Sequence, residues 1–315
     1  MRMRDLRLLV AAALFCPAVG CNWMKEWRDQ QGPGRPAGKL PDRSADDFVR
    51  FLNWRAAQFQ SVEYQAVRVR VSGKGIPIPV NLDGSMAAAQ PKFFRLRSQG
   101  RVAGTIDMGS NPEQFWVYAS APGDEALFVY ASHTDFESGR AKMPGGLPFE
   151  PDWVMQALGL APLPANVNFD LLPNERERTY TLGWTAVSPT GVAVRKEVVI
   201  DADPATGNRS QVKRHVLRDG KNKLIATAEI KAAEIARVGQ DARGYPLAIQ
   251  YPTHMVLKWE DPRFEMDLTL ERAAVNTGLA DDPAKRAQFF TRPTVPGKEP
   301  IDLARFDFPT GRGGR

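Results

Sequence analysis

The stretch RFEMDLTLERA, residues 263–273, alternates without a break: Phe264, Met266, Leu268 and Leu270 stand between Glu265, Asp267 and Thr269. Successive side chains of a strand point to opposite faces, so one face of this segment is apolar and the other charged. Antiparallel sheets that are dry on one side read this way, whereas parallel sheets are apolar on both. VRVRV, residues 67–71, repeats the pattern, with Val67, Val69 and Val71 on one side and Arg68 and Arg70 on the other.

Working outward, strand-like runs follow at 79–89, 92–98, 104–110, 114–120, 126–132, 178–187, 192–200, 211–217, 223–230 and 254–260. Gly, Pro and Asn separate them, which predicts an antiparallel meander of about a dozen strands. Two segments break the period. SADDFVRFLNWRAAQF opens with Ser44 as N-cap and Asp47 three residues on, and Phe48, Phe51, Leu52, Ala56 and Phe59 recur at helical spacing. In PDWVMQALGL, Pro151 fits a first helical position, Asp152 the positive helix end and Gly159 a C-cap; the preceding MPGGLPFE, 143–150, excludes regular structure. A sheet of this size avoids long edges by curling, and a barrel of more than about eight strands is too wide for side chains to fill. The fold class is therefore mainly β with some helix (α+β), a curled sheet whose interior holds a helix, a ligand or both.

The N-terminus reads as an export signal. Residues 1–20 carry Arg2, Arg4 and Arg7, then the apolar run LLVAAALF, then the small residues Ala18 and Gly20. The run is too short to span a bilayer, which takes about 20 apolar residues. Cys16 lies within this segment and Cys21 directly after it. A Cys16–Cys21 disulfide would sit in or against a segment that is removed, and two cysteines without nearby histidines make no structural zinc site. AVGC, residues 18–21, resembles the lipobox of bacterial lipoproteins, with Ala18 where Leu is usual, and implies lipidation of Cys21; the competing reading is an incidental cysteine in a leader cut further on. Cleavage before Cys21 leaves a net charge of about +4 instead of +6. More than one attached acyl chain anchors firmly. Residues 21–43, rich in Gly, Pro and charge, read as a tether, with Trp23 and Trp27 suited to a membrane interface or to packing on the domain.

The basic cluster QVKRHVLRDGKNK, 211–223, has apolar residues at strand spacing and reads as the solvated face of a hairpin. No recognition helix or basic-aromatic platform accompanies it, so nucleic acid is not an expected partner. A basic surface also suits anionic lipid headgroups. None of the common nucleophile, zinc, phosphate or redox motifs is present, and His133, His215 and His254 are far apart. DADPATGN, 201–208, places Gly seventh and Val212 where a calcium loop needs glutamate, so it reads as a hairpin turn. Asp281 and Asp282 before Pro283 read as a helix start. No catalytic activity, metal or cofactor is expected. What remains is aromatic: Phe93, Phe94, Phe115, Trp116, Tyr118, Phe128 and Tyr130 crowd three strands, as core or as the lining of a cavity for an apolar ligand.

The order of VEYQAVRVRV, QPKFFRLRSQG, GTIDMGSNPEQFWVYASAP, VVIDADPATGNRSQVKRHVLRDGKNKLIATAEI, YPLAIQYP and FEMDLTLERAAVNTGL resembles the LolA and LolB family of lipoprotein carriers over residues 44–292. The resemblance implies an unclosed antiparallel barrel of about eleven strands with a helical lid over a cavity for acyl chains. By strand position it points to Phe94, Leu96, Met108, Phe115 and Val117 as ligand-binding, with Trp116 or Tyr118 replacing the last two if the facing is reversed. The lipobox makes the chain more like LolB or a LolA-like lipoprotein, while the loop RSQGRVAG offers only Val102 as a counterpart to LolB's membrane-inserted leucine. The tail 293–315 has no assignment. The expected protein is a lipid-anchored lipoprotein facing the periplasm, on the inner or outer membrane, that binds a lipid or lipoprotein acyl chain for transport or sorting, with an envelope protein as a further partner. The alternative is a periplasmic sensor or interaction module on the same fold.

Overall fold

The valine row of VRVRV and the apolar row of RFEMDLTLERA lie side by side. Strand β1 (Ser61–Gly73) pairs antiparallel with β13 (Phe264–Val275) in the register Val67↔Leu270, Val69↔Leu268 and Val71↔Met266, and all six side chains are buried. On the opposite face Arg68 and Glu271 form an ion pair. The structure, a computed structural model, describes residues 39–74, 76–100, 104–121, 126–141, 151–188, 191–203, 210–240, 246–261 and 263–306. The expected signal peptide, Cys16, Cys21, Trp23, Trp27, Val102, the 143–150 loop and most of the DADPATGN turn lie outside the described residues.

From β1 the sheet extends one way through β2 (Ile76–Ala89), β3 (Phe93–Gly100), β4 (Gly104–Ser110), β5 (Gln114–Ser120) and β6 (Leu127–Ser132). From β13 it extends the other way through β12 (Pro246–Trp259), β11 (Leu224–Gln240), β10 (Val212–Asp219), β9 (Ala193–Asp201), β8 (Thr179–Val187) and β7 (Phe169–Asn174). All of these pairings are antiparallel; β14 (Ile301–Asp302) adds to β6 in parallel. The edges β7 and β14 do not pair, so the curled sheet is unclosed, with 14 strands among the described residues. That exceeds the number the resemblance implied. The two strands without a sequence signal are β7, FDLLPN, whose adjacent Leu171 and Leu172 break the alternation and which holds Pro173, and β14, whose two residues are too few to show a period.

Four helices accompany the sheet among the described residues: α1 (Ala45–Gln58), α2 (His133–Glu137), α3 (Pro151–Leu158) and α4 (Pro283–Phe289). The expected capping box starts α1: the Asp47 amide donates to Ser44 Oγ at 3.2 Å, and the Ser44 amide donates to Asp47 Oδ2 at 3.2 Å. Asp282 caps α4, its Oδ1 accepting from the amides of Ala284 and Lys285. Gly159 ends α3 in the left-handed region at φ +83°, and Leu160 N–H returns to Met155 O at 2.9 Å, a Schellman arrangement.

Helices α1 and α3 divide the inner face of the sheet. Phe48, Val49 and Leu52 of α1 pack with Leu182, Trp184, Val198 and Ile200. Trp153, Val154 and Leu158 of α3 pack with the rows of β1–β4, β12 and β13. Beyond His254, β12 parts from β13 and stays with β11 alone, which frees carbonyls on its edge. Buried carbonyls need donors, and here side chains supply them: Tyr64 Oη donates to Pro252 O and Arg55 Nη2 to Gln250 O, each at 2.7 Å.

Described residues on either side of 44–292 also contact the fold. Leu40 is buried and Tyr180 Oη donates to Pro41 O. After α4, Phe290 packs on Phe93, β14 pairs with β6, and Leu303 is 2 % exposed. The first described part of the expected tail is thus a piece of the sheet's cover, anchored by single apolar side chains that carry no periodicity.

Candidate functional site

The register sets which side chains meet inside. Met86↔Leu96, Leu96↔Met108 and Met108↔Val117 form one row across β2–β5, and Met255↔Leu268 and Leu257↔Met266 form another across β12 and β13. These rows face α3. Between them, Met86, Phe94, Leu96 and Met108 on one side, Met255, Leu257, Trp259, Met266 and Leu268 on the other, and Val154 and Leu158 above enclose a space with no polar group in its lining. It leaves about 20 Å³ to the centre of a water-sized sphere, little more than one water's worth. Four of the eleven lining residues are methionines, whose unbranched thioethers repack around irregular shapes. Trp153 of α3 and Trp259 of the floor stand edge to face with centroids 6.3 Å apart, and neither indole N–H has an acceptor.

Of the residues expected at a site, Phe94, Leu96 and Met108 line this space. Phe115 and Val117 share its face of the sheet, but Phe115 packs at the far end against Phe136 at 5.0 Å and His133 at 5.9 Å. Trp116 and Tyr118 face the other way, and neither lines this space. Trp116, 0 % exposed, lies over Gly109, where a Cβ would come within 2.4 Å of its ring, and Nε1 donates to Asp107 Oδ1 at 3.2 Å. Asp107 in turn accepts from Arg95 Nε at 3.0 Å and Nη2 at 2.7 Å. Tyr118 packs edge-on against Phe128. One residue of phase decides the facing, and a strand apolar on both sides carries no phase.

A second space lies where α1 meets the end of α3, among Leu52, Arg55, Gln156, Gly159, Val198 and His215. It leaves about 30 Å³ to a water-sized sphere. Arg55 is 7 % exposed, and Nη2 donates to Gln250 O, but Nε has no acceptor. No carboxylate among the described residues pairs with it, and burial lowers its pKa to about 10. His215 is also 7 % exposed; burial first, and the Arg55 charge second, push its pKa down to about 3, so its ring is neutral. Sequence reasoning missed Arg55, although it sits three residues after Leu52 and four before Phe59, inside the apolar stripe of α1. Within 211–223, expected as the solvated face of a hairpin, His215 turns inward. The neighbouring cations do lie outward, Lys213 beside Asp201 at 3.4 Å and Arg218 beside Glu197 at 3.2 Å.

The three histidines do not converge. The His133 ring meets Asn111 O at 2.7 Å, and burial lowers its pKa; His254 meets Asp267 at 2.8 Å. Among the described residues no group of three or more His, Cys, Asp or Glu could hold a metal. Asp203 of the rejected calcium loop is held by Arg178 at 2.9 and 3.0 Å. No described helix is long and apolar enough to cross a membrane.

No family model matches the sequence, and no curated protein matches it. Among solved structures, the chain is similar to a domain provisionally described as an outer membrane lipoprotein-sorting protein from Vibrio parahaemolyticus, at 11 % identity and TM-score 0.47, over 78 % of this chain and 98 % of that one. It is similar to a DUF1329 family protein from Desulfovibrio piger at 13 % identity and TM-score 0.48, over 80 % and 98 % of the two chains. A LolA superfamily protein from Nitrosomonas europaea matches at 11 % identity and TM-score 0.42, over 78 % and 97 %.

Proposed function

We propose that the chain is an exported cell-envelope lipoprotein, anchored through lipid on Cys21 and facing the periplasm, that takes a lipid or a lipoprotein acyl chain non-covalently beneath α3 for transport or sorting. The observation that carries this reading is the enclosed, wholly apolar, methionine-rich space whose roof is a separate short helix. Ligand sites are concave and mostly apolar, and a lining without any polar group suits hydrocarbon. The space as it stands is nearly filled, so a chain enters by displacing α3. Eight residues are too few for a helix to hold itself in water, so α3 is held by its buried face. Hydrocarbon that replaces that face offers the sheet equivalent apolar contact, which makes the exchange affordable.

The test is native mass spectrometry of the full-length chain purified from membranes. The reading expects a co-purified lipid mass that is released on denaturation; a protein that carries none counts against it. The small free volume favours a second reading, a sensor or interaction module with a permanently filled interior. That module retains no lipid in the same measurement.

A further inference from the structure

Arg55 is a cation that the fold buries with no carboxylate paired to it among the described residues. The other buried arginine, Arg95, shows what a structural pair looks like here, gripping Asp107 through two hydrogen bonds. Among the described residues the Arg55 guanidinium has only the neutral carbonyl of Gln250, and its Nε–H is left over. A guanidinium keeps its proton in proteins, so the charge stays, and an unpaired buried charge opposes folding. Its neighbours do not compensate: His215 faces the same space and brings no negative charge, and Gln156 Oε1 there has no donor. The rest of the lining is apolar.

The location matters as much as the charge. Gln156 and Gly159 of α3 and its C-cap line the Arg55 space, while Val154 and Leu158 of the same helix line the apolar space. The two spaces thus share α3 as a wall. A hydrocarbon chain that displaced α3 would bring its polar end beside Arg55.

We propose that Arg55, flanked by His215 and Gln156, is the headgroup site for an anionic amphiphile, whose carboxylate or phosphate oxygens take the unpaired Nε–H of the guanidinium while the hydrocarbon fills the methionine-rich space. This rests on the acyl-binding reading above. Charge-assisted bonds to a guanidinium edge are the strong ones, and in a low-dielectric space they discriminate sharply against a neutral head.

The experiment measures displacement of the neutral dye N-phenyl-1-naphthylamine from the full-length chain by oleate, oleyl alcohol and dioleoyl phosphatidylglycerol. Oleate is expected to bind about tenfold or more tighter than oleyl alcohol, the order for one charged hydrogen-bonded pair. Arg55→Met removes that preference, so that oleate binds no tighter than oleyl alcohol; Arg55→Lys keeps part of it. His215→Glu, which supplies a carboxylate to Arg55 from within, removes it too, and serves where Arg55→Met does not fold. Phosphatidylglycerol bound tighter than oleate, with the same dependence on Arg55, supports the site and assigns phosphate as the head. Equal binding of oleate and the alcohol overturns the headgroup site and leaves acyl binding standing. Failure of all three ligands overturns both.

Discussion

Trp153 of α3 meets Trp259 of β12 edge to face, with ring centroids 6.3 Å apart and planes at 67°. The contact joins the roof of the apolar space to its floor, and both rings are buried. Truncating a large buried aromatic leaves a cavity as well as lost transfer energy. Trp153→Ala is expected to destabilise the chain by about 3–5 kcal/mol in urea unfolding. Amide exchange should also accelerate in α3 more than in β1 or β13. Equal acceleration everywhere would mean that α3 does not move apart from the sheet.

The neutral state of His215 makes stability depend on pH. Its folded pKa is pushed down to about 3, whereas in the unfolded chain it takes a proton below about 6.5. The unfolded state therefore binds more protons, and stability falls as pH drops from about 6.5 towards 3, by up to about 1.4 kcal/mol per unit for this group. Between pH 6.5 and 5, above most carboxylate titration, His215→Leu should show a shallower loss of stability than the parent in urea titrations. His133, whose pKa is also lowered by burial, keeps part of the slope in the variant.

The outer face has its own test in Arg95 and Asp107, whose side chains are 10 % and 8 % exposed. Removing Asp107 strands the Arg95 charge, and removing Arg95 leaves Asp107 only the exposed Arg97 at 3.6 Å; Asp107 also holds Trp116 Nε1. Arg95→Met or Asp107→Leu alone should each cost about 3–5 kcal/mol. The double variant should cost much less than the two singles added, because an apolar pair of similar volume replaces a buried ion pair at little loss. Additivity in the cycle would show that the two groups act independently.

Lipidation is tested at the two cysteines. Labelled palmitate should enter the wild-type and the Cys16→Ser chain, and both should sediment with membranes. Cys21→Ser should lose the label and the membrane fraction together, since the anchor resides in its acyl chains. Label retained in Cys21→Ser would place the modification elsewhere.

Much of this architecture was legible in one dimension. The alternation in residues 263–273 and 67–71 names both the strands and their inward rows, and those rows pair with each other. Ser44 with Asp47, and Pro151 with Gly159, mark helix ends because capping is a local matter of a few backbone groups. The C-terminal cover of the sheet was not legible. Phe290 and Leu303 are single anchors in irregular chain, and such contacts leave no period to detect.

The candidate site divides the same way. By itself the sequence determined that a large, mostly antiparallel sheet would curl, that helices or ligand would fill it, and that Phe94 and Leu96 lie along one strand face, because side-chain period and edge exposure are properties of the strand. Only the tertiary structure decided that Trp116 turns outward onto Asp107, since the strand is apolar on both faces and its phase comes from the neighbouring strands. Only the tertiary structure put Arg55 and His215 together, 160 residues apart in the chain. Burial of a charge without its partner depends on which elements pack over it, and no local pattern encodes that.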